Sequence, residues 1–240
     1  MDWFSDWFNS KYYHILYQNR DEKEAEQFLS KLQVFFRKKN QILDIACGSG
    51  RHSIFLNSLG YQITGIDLSV KSIKAAKQRS DNKILFDVWD MRKTYKKEHF
   101  DVVLNLFTSF GYFDSEKEDF SAIQAISSNL KYNGILIIDF LNSEKVIANL
   151  VESEQNTLSG ITFNINRKLK EGFILKNIKF TDKGNDFEFT EKVKAFNLSD
   201  FTKLLNFAQL KIINIFGDYK LNKYIPTDSD RLIIVAKKWK

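Results

Sequence analysis

The stretch Gln41-Ile42-Leu43-Asp44-Ile45-Ala46-Cys47-Gly48-Ser49-Gly50 decides the fold of this chain. It is an apolar run that contains one acid and ends in a glycine loop, and a helical pattern follows over residues 51–59. A second apolar run, residues 61–66, ends at Asp67. Glycines after a strand let a ligand approach the backbone, and an acid at the next strand tip suits ribose hydroxyls. The pattern predicts a strand–helix–strand unit that binds a nucleoside cofactor.

The chemistry of the loop distinguishes between two cofactors. A dinucleotide fingerprint needs Gly-x-Gly-x-x-Gly, but Ser53 stands where the third glycine would follow Gly48 and Gly50. Asp44 gives no benefit to an anionic pyrophosphate and suits a cationic amine instead. S-adenosylmethionine has an ammonium, a sulfonium and a ribose but no phosphate. The residues therefore favour a methyltransferase; a nicotinamide-dependent oxidoreductase and a non-catalytic nucleoside-binding module are the alternatives.

Five segments resemble the class I S-adenosylmethionine-dependent methyltransferases. Residues 44–50 are similar to the glycine loop of that family, and residues 65–69 to its ribose-binding turn. Residues 87–91 are similar to the turn whose acid contacts the adenine amino group. Residues 100–107 and 133–140 are similar to the fourth and fifth strands of the family. The resemblance implies a Rossmann-like fold with S-adenosylmethionine as the cofactor.

Four further segments resemble one bacterial subfamily of small-molecule-type methyltransferases, in which substrates are mostly unassigned. They are residues 50–53, 90–92, 105–113 and 217–236. Together these similarities cover nearly the whole chain. Ala46 is one departure, because many relatives carry glycine there. Alanine is small enough that we expect cofactor binding to survive.

The loop chemistry and the resemblance together predict the residues that hold the cofactor. In this interpretation the aromatic N-terminal segment folds over the cofactor, and Arg20 pairs with its carboxylate. The predicted set is Tyr13, Arg20, Asp44, Ala46, Cys47, Gly48, Gly50, Asp67, Leu68, Asp90, Met91, Asn105, Leu106 and Phe107. For the N-terminal segment, a helix that merely packs by its aromatic stripe is the alternative.

The acids and the cysteine of this set also have structural interpretations. Asp44 could bond backbone amides of its own loop, and Asp67 could cap the helix that begins at Ser69. Asp90 could make an ordinary Asx-turn. Cys47 is the only cysteine of the chain. Because it lies inside a loop that faces cofactor, we expect a small loop residue and not a catalytic nucleophile.

The acceptor is expected beyond the fourth strand, because open α/β sheets bind ligands at the carboxyl ends of their strands. The predicted residues of the acceptor site are Tyr112, Tyr219, Tyr224 and Arg231. Methyl transfer is an in-line displacement, so positioning and desolvation can supply much of the acceleration, and no catalytic base is assigned. We predict a small or medium-sized acceptor, with an RNA or protein methyltransferase as the alternative. Neither the methylated atom type nor the oligomeric state is written in the sequence.

Strands and helices alternate through the first two thirds of the chain. The predicted strands cover residues 41–46, 62–67, 84–88, 102–106 and 135–140, and the predicted helices cover 51–58, 69–80 and 116–130. This alternation predicts an α/β fold with a doubly wound, mostly parallel sheet, here seven-stranded and Rossmann-like.

The pattern changes after residue 142. A short helix over residues 143–151 precedes three alternating runs, which read as antiparallel hairpins and cover 161–168, 173–181 and 187–195. A helix capped by Ser199 and two strands, 211–216 and 231–237, then complete the sheet. The resulting division is an aromatic helical segment (1–40), a cofactor-binding core (41–150), an inserted antiparallel β lid (151–197) and the remainder of the core (198–240).

Composition narrows the number of domains, the compartment and the kinds of partner that the chain can have. The chain has 240 residues, 43% of them hydrophobic, which suits one domain with a decoration, or a domain and a half. Its single cysteine argues against a disulfide framework and suits the cytoplasm. The formal charge of +6 is scattered, so a nucleic-acid partner is not favoured. We expect no membrane partner, no signal peptide and no metal, because the chain lacks a long apolar run, a basic start and a Cys/His cluster.

Overall fold

A computed structural model describes residues 3–17, 22–80 and 83–239 of the chain. The helices are α1 (Trp3–Phe8), α2 (Lys11–Leu16), α3 (Glu22–Leu32), α4 (Arg51–Ser58), α5 (Val70–Arg79), α6 (Glu116–Asn129), α7 (Ser143–Ala148) and α8 (Leu198–Phe207). The strands are β1 (Gln41–Ile45), β2 (Gln62–Asp67), β3 (Leu85–Val88), β4 (Phe100–Asn105), β5 (Leu130–Leu141), β6 (Ser153–Leu158), β7 (Ile161–Lys170), β8 (Phe173–Asp182), β9 (Asn185–Lys194), β10 (Leu210–Phe216) and β11 (Arg231–Lys238). Among these helices none is both long enough and apolar enough to cross a membrane.

Seven of the strands form the main sheet in the order β10-β11-β5-β4-β1-β2-β3. Strands β1 to β5 pair in parallel, whereas β11 is antiparallel to both of its neighbours. The predicted fold class is confirmed. The chain moves outward from β1 through β2 to β3 and then returns to the other side of β1 through β4 to β5. The switch point next to β1 is where open α/β sheets place their ligands.

The buried strands and the local caps explain why these elements form. Two apolar clusters cover the two faces of the main sheet; one contains Leu43 and Ile138, and the other contains Ile42 and Ile137. A parallel sheet that is covered on both faces needs such near-continuous apolar strands. Ser69 caps the start of helix α5, and its hydroxyl accepts a hydrogen bond from the backbone N–H three residues later.

The inserted strands β6 to β9 form a separate antiparallel sheet in chain order. Two-residue turns join them, and in each turn a non-glycine residue and the glycine after it both have positive φ. This is the type I′ geometry that matches the twist of a hairpin. The sequence patterns located β7, β8 and β9 but missed β6. The polar strand β6, SEQNTL, lies at the edge of the sheet and has no buried residue, so its sequence carries no apolar alternation.

The predicted cap of the last helix is wrong. Asn197, and not Ser199, precedes α8: the Asn197 side chain accepts from the Asp200 N–H at 3.1 Å, and the Asp200 carboxylate accepts from the Asn197 N–H at 3.0 Å. Reciprocal bonding of this kind satisfies two otherwise unpaired backbone donors, which a serine inside the first turn cannot do.

The N-terminal helices pack on the inserted sheet. Trp7 and Tyr12 belong to one buried cluster with Phe163 and Phe180 of β7 and β8. The Trp7 indole donates to Glu191 of β9 at 2.6 Å. The inserted sheet packs against the Trp7 ring and also accepts the hydrogen bond of its indole N–H. The first helices and the inserted sheet therefore form one continuous wall.

Candidate functional site

A cavity of about 1170 Å³ lies at the carboxyl edge of the main sheet. It is formed by the turns after β1, β2, β3 and β4, with further walls from α1, α2, β9 and the segment before β11. Of the predicted residues, the cavity is lined by Tyr13, Ala46, Cys47, Gly48, Asp67, Leu68, Asp90, Met91, Leu106, Phe107, Tyr112, Tyr219 and Arg231. Those that do not line it are Asp44, Gly50, Asn105 and Tyr224, and Arg20 falls outside the described residues.

The glycine loop is held in left-handed backbone conformations. Ala46, Gly48 and Gly50 have φ angles of 59°, 56° and 79°. A Cβ added to Gly48 would meet no atom within 4 Å, so this glycine leaves open room beside the cavity. A Cβ on Gly50 would lie 2.8 Å from the Phe86 ring. Gly48 is therefore suited to close approach of a ligand, whereas Gly50 is required by packing beneath the loop.

Ala46 carries a strain that glycine would relieve. A left-handed conformation costs an L-residue about 1–2 kcal/mol, whereas glycine adds about 0.5–1 kcal/mol of backbone entropy on folding. We expect Ala46→Gly to raise the free energy of unfolding by up to about 1 kcal/mol, measured by urea denaturation. As a control, Ala75→Gly within helix α5 should lower it by about 1 kcal/mol. A destabilised Ala46→Gly protein would show that the loop is not strained.

Asp67 joins the loop to the end of β2. One carboxylate oxygen accepts from the Gly48 N–H at 2.9 Å and the other from the Ser69 N–H at 2.8 Å. Burial raises the pKa of Asp67, and these two bonds oppose that shift. Each oxygen has a second lone pair, and the side chain lines the cavity, so the carboxylate can accept further hydrogen bonds from a ligand.

Asp44 lies beneath the loop, away from the cavity. It is 1% exposed, and its carboxylate accepts from the Ser53 hydroxyl at 2.6 Å. Burial raises its pKa to about 7, opposed by the Ser53 bond. Ser53 thus supports the loop from the position at which a dinucleotide fingerprint has its third glycine. The sequence predicts that Asp44 contacts the ammonium of the ligand directly. Its placement beneath the loop, away from the cavity, does not favour that contact.

The raised pKa of Asp44 predicts a pH dependence of stability. An aspartate in an unfolded chain titrates near about 3.9, so folding takes up a proton between that value and about 7. The stability from protonation is fully present below about pH 4 and is lost as the pH rises to about 7. We expect Asp44→Asn to reduce the slope of unfolding free energy across this range. Asp119, whose pKa burial raises to about 6, maintains part of the slope. An unchanged slope would contradict the assignment to Asp44.

Asp90 and Arg92 form an ion pair at the turn after β3. The Arg92 Nη2–Asp90 Oδ2 distance is 2.7 Å, and Arg92 Nη1 reaches Glu118 at the same distance. Burial disfavours the Asp90 charge, but the Arg92 bonds outweigh it and hold its pKa below the usual range. Asp90 and Met91 both line the cavity. Arg92 therefore fixes the orientation in which Asp90 can face a ligand.

The loop after β4 forms the next part of the cavity. Phe107 and Thr108 have positive φ angles of 56° and 58°, which is rare for side chains of this size. The Phe107 ring stacks on His52, with centroids 4.7 Å apart and planes 13° from parallel. Asn105 is fully buried behind this loop, and its Oδ1 atom accepts no hydrogen bond within the described part of the chain.

Asp139 holds this loop and is missed by the sequence analysis. It is fully buried at the end of β5 and accepts from the Phe107 N–H at 2.8 Å, Arg231 Nε at 2.7 Å and the Tyr219 hydroxyl at 3.3 Å. Arg231 Nη2 in turn donates to the Thr108 hydroxyl at 3.0 Å. The available signal was an acid inside the apolar run 135–140, the same pattern that singles out Asp44 in β1.

The remaining predicted residues divide by position. Tyr112 lines the cavity and donates to the Thr108 carbonyl at 2.6 Å. Tyr224 faces away, where it contacts Asn142 and Glu144 at 3.2 Å, and burial raises its pKa to about 12. Cys47 lines the cavity, but burial raises the pKa of its thiol, which disfavours a reactive thiolate.

Further residues outside the predicted set also line the cavity. Phe8, His14 and Tyr17 belong to the N-terminal segment that is expected to fold over the cofactor, and Arg51, Trp89 and Arg92 lie beside predicted residues. Glu191 of β9 carries no such signal in the sequence, because only the tertiary fold brings it to the cavity. Across the described ranges there is no group of three or more His, Cys, Asp and Glu side chains suited to a metal ion.

The residues present fit a nucleoside: an open glycine loop, a carboxylate after β2 and a second carboxylate after β3. Residues 36–209 match the family described as Methyltransferase domain. The chain belongs to this methyltransferase family. It is a class I methyltransferase by its fold, and its cofactor is S-adenosylmethionine, as the resemblance implied.

Known proteins similar to this methyltransferase agree with the assignment. YqeM of Bacillus subtilis (strain 168) is 34% identical over 124 residues, which is 50% of each chain, so the chain spans about half the length of that relative. Glycine/sarcosine N-methyltransferase of Aphanothece halophytica is 28% identical over 93% of this chain and 85% of its own. An S-adenosylmethionine-dependent methyltransferase from Clostridium acetobutylicum ATCC 824 has the same fold, with a TM-score of 0.81, 18% identity and coverage of 95% and 96%.

Proposed function

We propose that this methyltransferase transfers the methyl group of S-adenosylmethionine to an amine nitrogen of a small acceptor. The observation that carries the proposal is one continuous cavity, in which the turns after β1, β2 and β3 meet an aromatic and polar region beside β4, β5 and β11. Nitrogen as the accepting atom is supported by the N-methyltransferase that aligns over 93% of the chain.

The turns after β1, β2 and β3 are assigned to the cofactor. In this proposal Asp67 accepts from the ribose hydroxyls, as the family resemblance implies, and Leu68 and Met91, which line the cavity, flank the adenosine. Asp90, oriented by Arg92, faces the adenine amino group. The backbone of residues 46–48 lies along the amino-acid end, where Gly48 leaves the required room.

The acceptor is assigned to the other end of the cavity. Tyr112, Tyr219 and Arg231 line it from the core, and Glu191 and Val193 of the inserted sheet line it from β9. When bound, S-adenosylmethionine supplies the methyl carbon. The chain's own residues orient the acceptor and exclude water, which suits a displacement whose charge is dispersed in the transition state. The insertion is therefore proposed as the wall that covers the acceptor.

Two features favour a small acceptor over RNA or protein. The N-terminal helices and the inserted sheet bound the cavity, so they form walls around its acceptor end. The described lining has five lysines and arginines against four acids, Asp67 and Glu191 among them, which is too balanced for a basic groove. For the location of the enzyme we propose the cytoplasm, because its one cysteine is free and buried.

A ligand-induced thermal shift tests the cofactor assignment. S-adenosylhomocysteine at 100 times its dissociation constant is expected to stabilise the fold by about 2.7 kcal/mol. NAD and NADP at the same concentration should give no shift, because the loop lacks a dinucleotide fingerprint. A shift with NAD and none with millimolar S-adenosylhomocysteine would overturn the proposal. Release of S-adenosylhomocysteine with glycine, sarcosine and amino sugars would then test transfer to nitrogen.

A further inference from the structure

Arg231 has hydrogen-bond donors that its protein neighbours do not use. A guanidinium has five N–H groups. In the described chain, Nε donates to Asp139 at 2.7 Å and Nη2 donates to Thr108 at 3.0 Å, which leaves three N–H groups, both of those on Nη1 among them. The side chain is only 19% exposed and lines the cavity. No Arg231 atom is among the buried side-chain atoms that lack a partner in the described chain, so these N–H groups are open to the cavity and available for a ligand acceptor.

The position of Arg231 separates it from the proposed cofactor site. Strand β11 lies three strand spacings from β1, or about 14 Å at roughly 4.8 Å per spacing. The other described lysines and arginines of the cavity follow β1, β2 or β3, and they are Arg51, Lys71, Arg79 and Arg92. Arg231 pairs in register with Leu141 of β5, on the far side of β4. An anion at Arg231 therefore belongs to the acceptor and not to the amino-acid end of the cofactor.

The surroundings of Arg231 define the charge and the direction of approach of that anion. Asp139 already neutralises one unit of charge, which leaves donors suited to a carboxylate and insufficient for a phosphate dianion. Behind Arg231 and Tyr219 lies a smaller cavity of about 250 Å³, which Glu24, Asp218, Asp230 and Lys220 also line. The three acids outnumber Lys220, so an anion is disfavoured on that side and a carboxylate reaches Arg231 from the main cavity, although Glu24 lines that cavity too.

From these observations we infer that Arg231 binds a carboxylate of the acceptor, so that the substrates of this methyltransferase are amines that carry a carboxylate. The inference rests on the proposed function. Asp139 and Thr108 hold the guanidinium so that its Nη1 and Nη2 edge can donate two parallel hydrogen bonds to the carboxylate.

Matched acceptor pairs test the substrate class on the unmodified enzyme. Release of S-adenosylhomocysteine is measured with glycine against glycinamide and with sarcosine against sarcosinamide. We expect the carboxylates to have kcat/KM values at least about 100-fold higher, because a site built for a polar group rejects an analogue that leaves it unpaired. The amide loses its amine proton more readily, so intrinsic reactivity works against this result. Equal or better methylation of the amides, or methylation of uncharged amino sugars alone, would overturn the inference.

A binding measurement separates Arg231 from the cofactor without any turnover. Acetate is titrated into the S-adenosylhomocysteine complex and followed by NMR line broadening, with acetamide as the neutral control. Arg231→Lys preserves the charge beside Asp139 but loses the planar edge, so we expect at least about tenfold weaker acetate binding with unchanged S-adenosylhomocysteine affinity. Arg79→Lys, a change at another cation of the cavity, should leave acetate affinity unchanged.

Each other outcome of this experiment has a distinct meaning. Failure of the wild-type complex to bind acetate, or equal acetate affinity in Arg231→Lys, overturns the inference. Loss of S-adenosylhomocysteine affinity in Arg231→Lys with acetate binding retained assigns Arg231 to the cofactor and overturns it as well. Failure of the wild-type enzyme to bind S-adenosylhomocysteine instead contradicts the proposed function on which the inference rests.

Discussion

Asp139→Ala is expected to lower the free energy of unfolding by about 3–5 kcal/mol, the usual cost of removing one partner of a buried ion pair. Asp139 is fully buried and accepts from Arg231 and from the Phe107 N–H. Its removal leaves the Arg231 charge and a backbone donor without their acceptor. Urea denaturation followed by circular dichroism measures the change.

A double variant separates the lost ion pair from lost packing. In Asp139→Ala/Arg231→Met the unpaired charge is also removed, so we expect part of the stability to return relative to Asp139→Ala alone. If the loss of stability in the double variant equals the sum of the losses in Asp139→Ala and Arg231→Met, with no recovery, Asp139 acts through packing and backbone bonds and not through its charge.

Asp67→Ala is expected to weaken S-adenosylhomocysteine binding by about 1.5–3 kcal/mol, the range for a hydrogen bond to a charged group. This corresponds to roughly 10- to 150-fold in the dissociation constant. The same carboxylate fixes Gly48 and Ser69, so its loss also removes the support of the loop from the β2 side. Isothermal titration calorimetry on the variant measures the affinity directly.

The alternative structural role of Asp67 predicts a different pattern. Loss of a residue that only caps a helix would lower the free energy of unfolding by about 1 kcal/mol and leave ligand affinity as in the wild type. Ser69→Ala provides the reference, because Ser69 is the residue that caps α5. If Asp67→Ala behaves as Ser69→Ala does, in both its melting temperature and its affinity, Asp67 is not a ligand-binding residue.

The core of the fold could be predicted because its signals are local. Strand β2 and helix α4 occupy the residues that the sequence patterns predict, 62–67 and 51–58. Both are determined by short-range properties, namely an apolar run that is buried in a parallel sheet and a helix that starts at a glycine turn. The turns that line the cavity follow from the same strands, since parallel strands end at one edge.

The rest of the site depends on contacts that no local pattern contains. Tyr224 and Tyr112 are both tyrosines in loops, yet only Tyr112 lines the cavity. Gly48 and Gly50 belong to one loop, but they are glycines for different reasons. The Phe86 ring of β3 leaves no room for a side chain at Gly50, whereas Gly48 borders the open cavity. Asp139 resembles Asp44 in sequence, and its importance is visible only when residues 80 and 92 positions later contact it.

The packing of α1 and α2 on the inserted sheet has a consequence for synthesis of the chain. Trp7 bonds to Glu191, a residue 184 positions later. At translation rates of about 5–20 residues per second, that partner is made roughly 10–40 s after Trp7. Helices of six residues are not stable alone, so the aromatic N-terminus of a nascent chain must stay unpartnered for that interval. The wall of the cavity that contains Tyr13 is synthesised before β9 and can be assembled only after β9 leaves the ribosome.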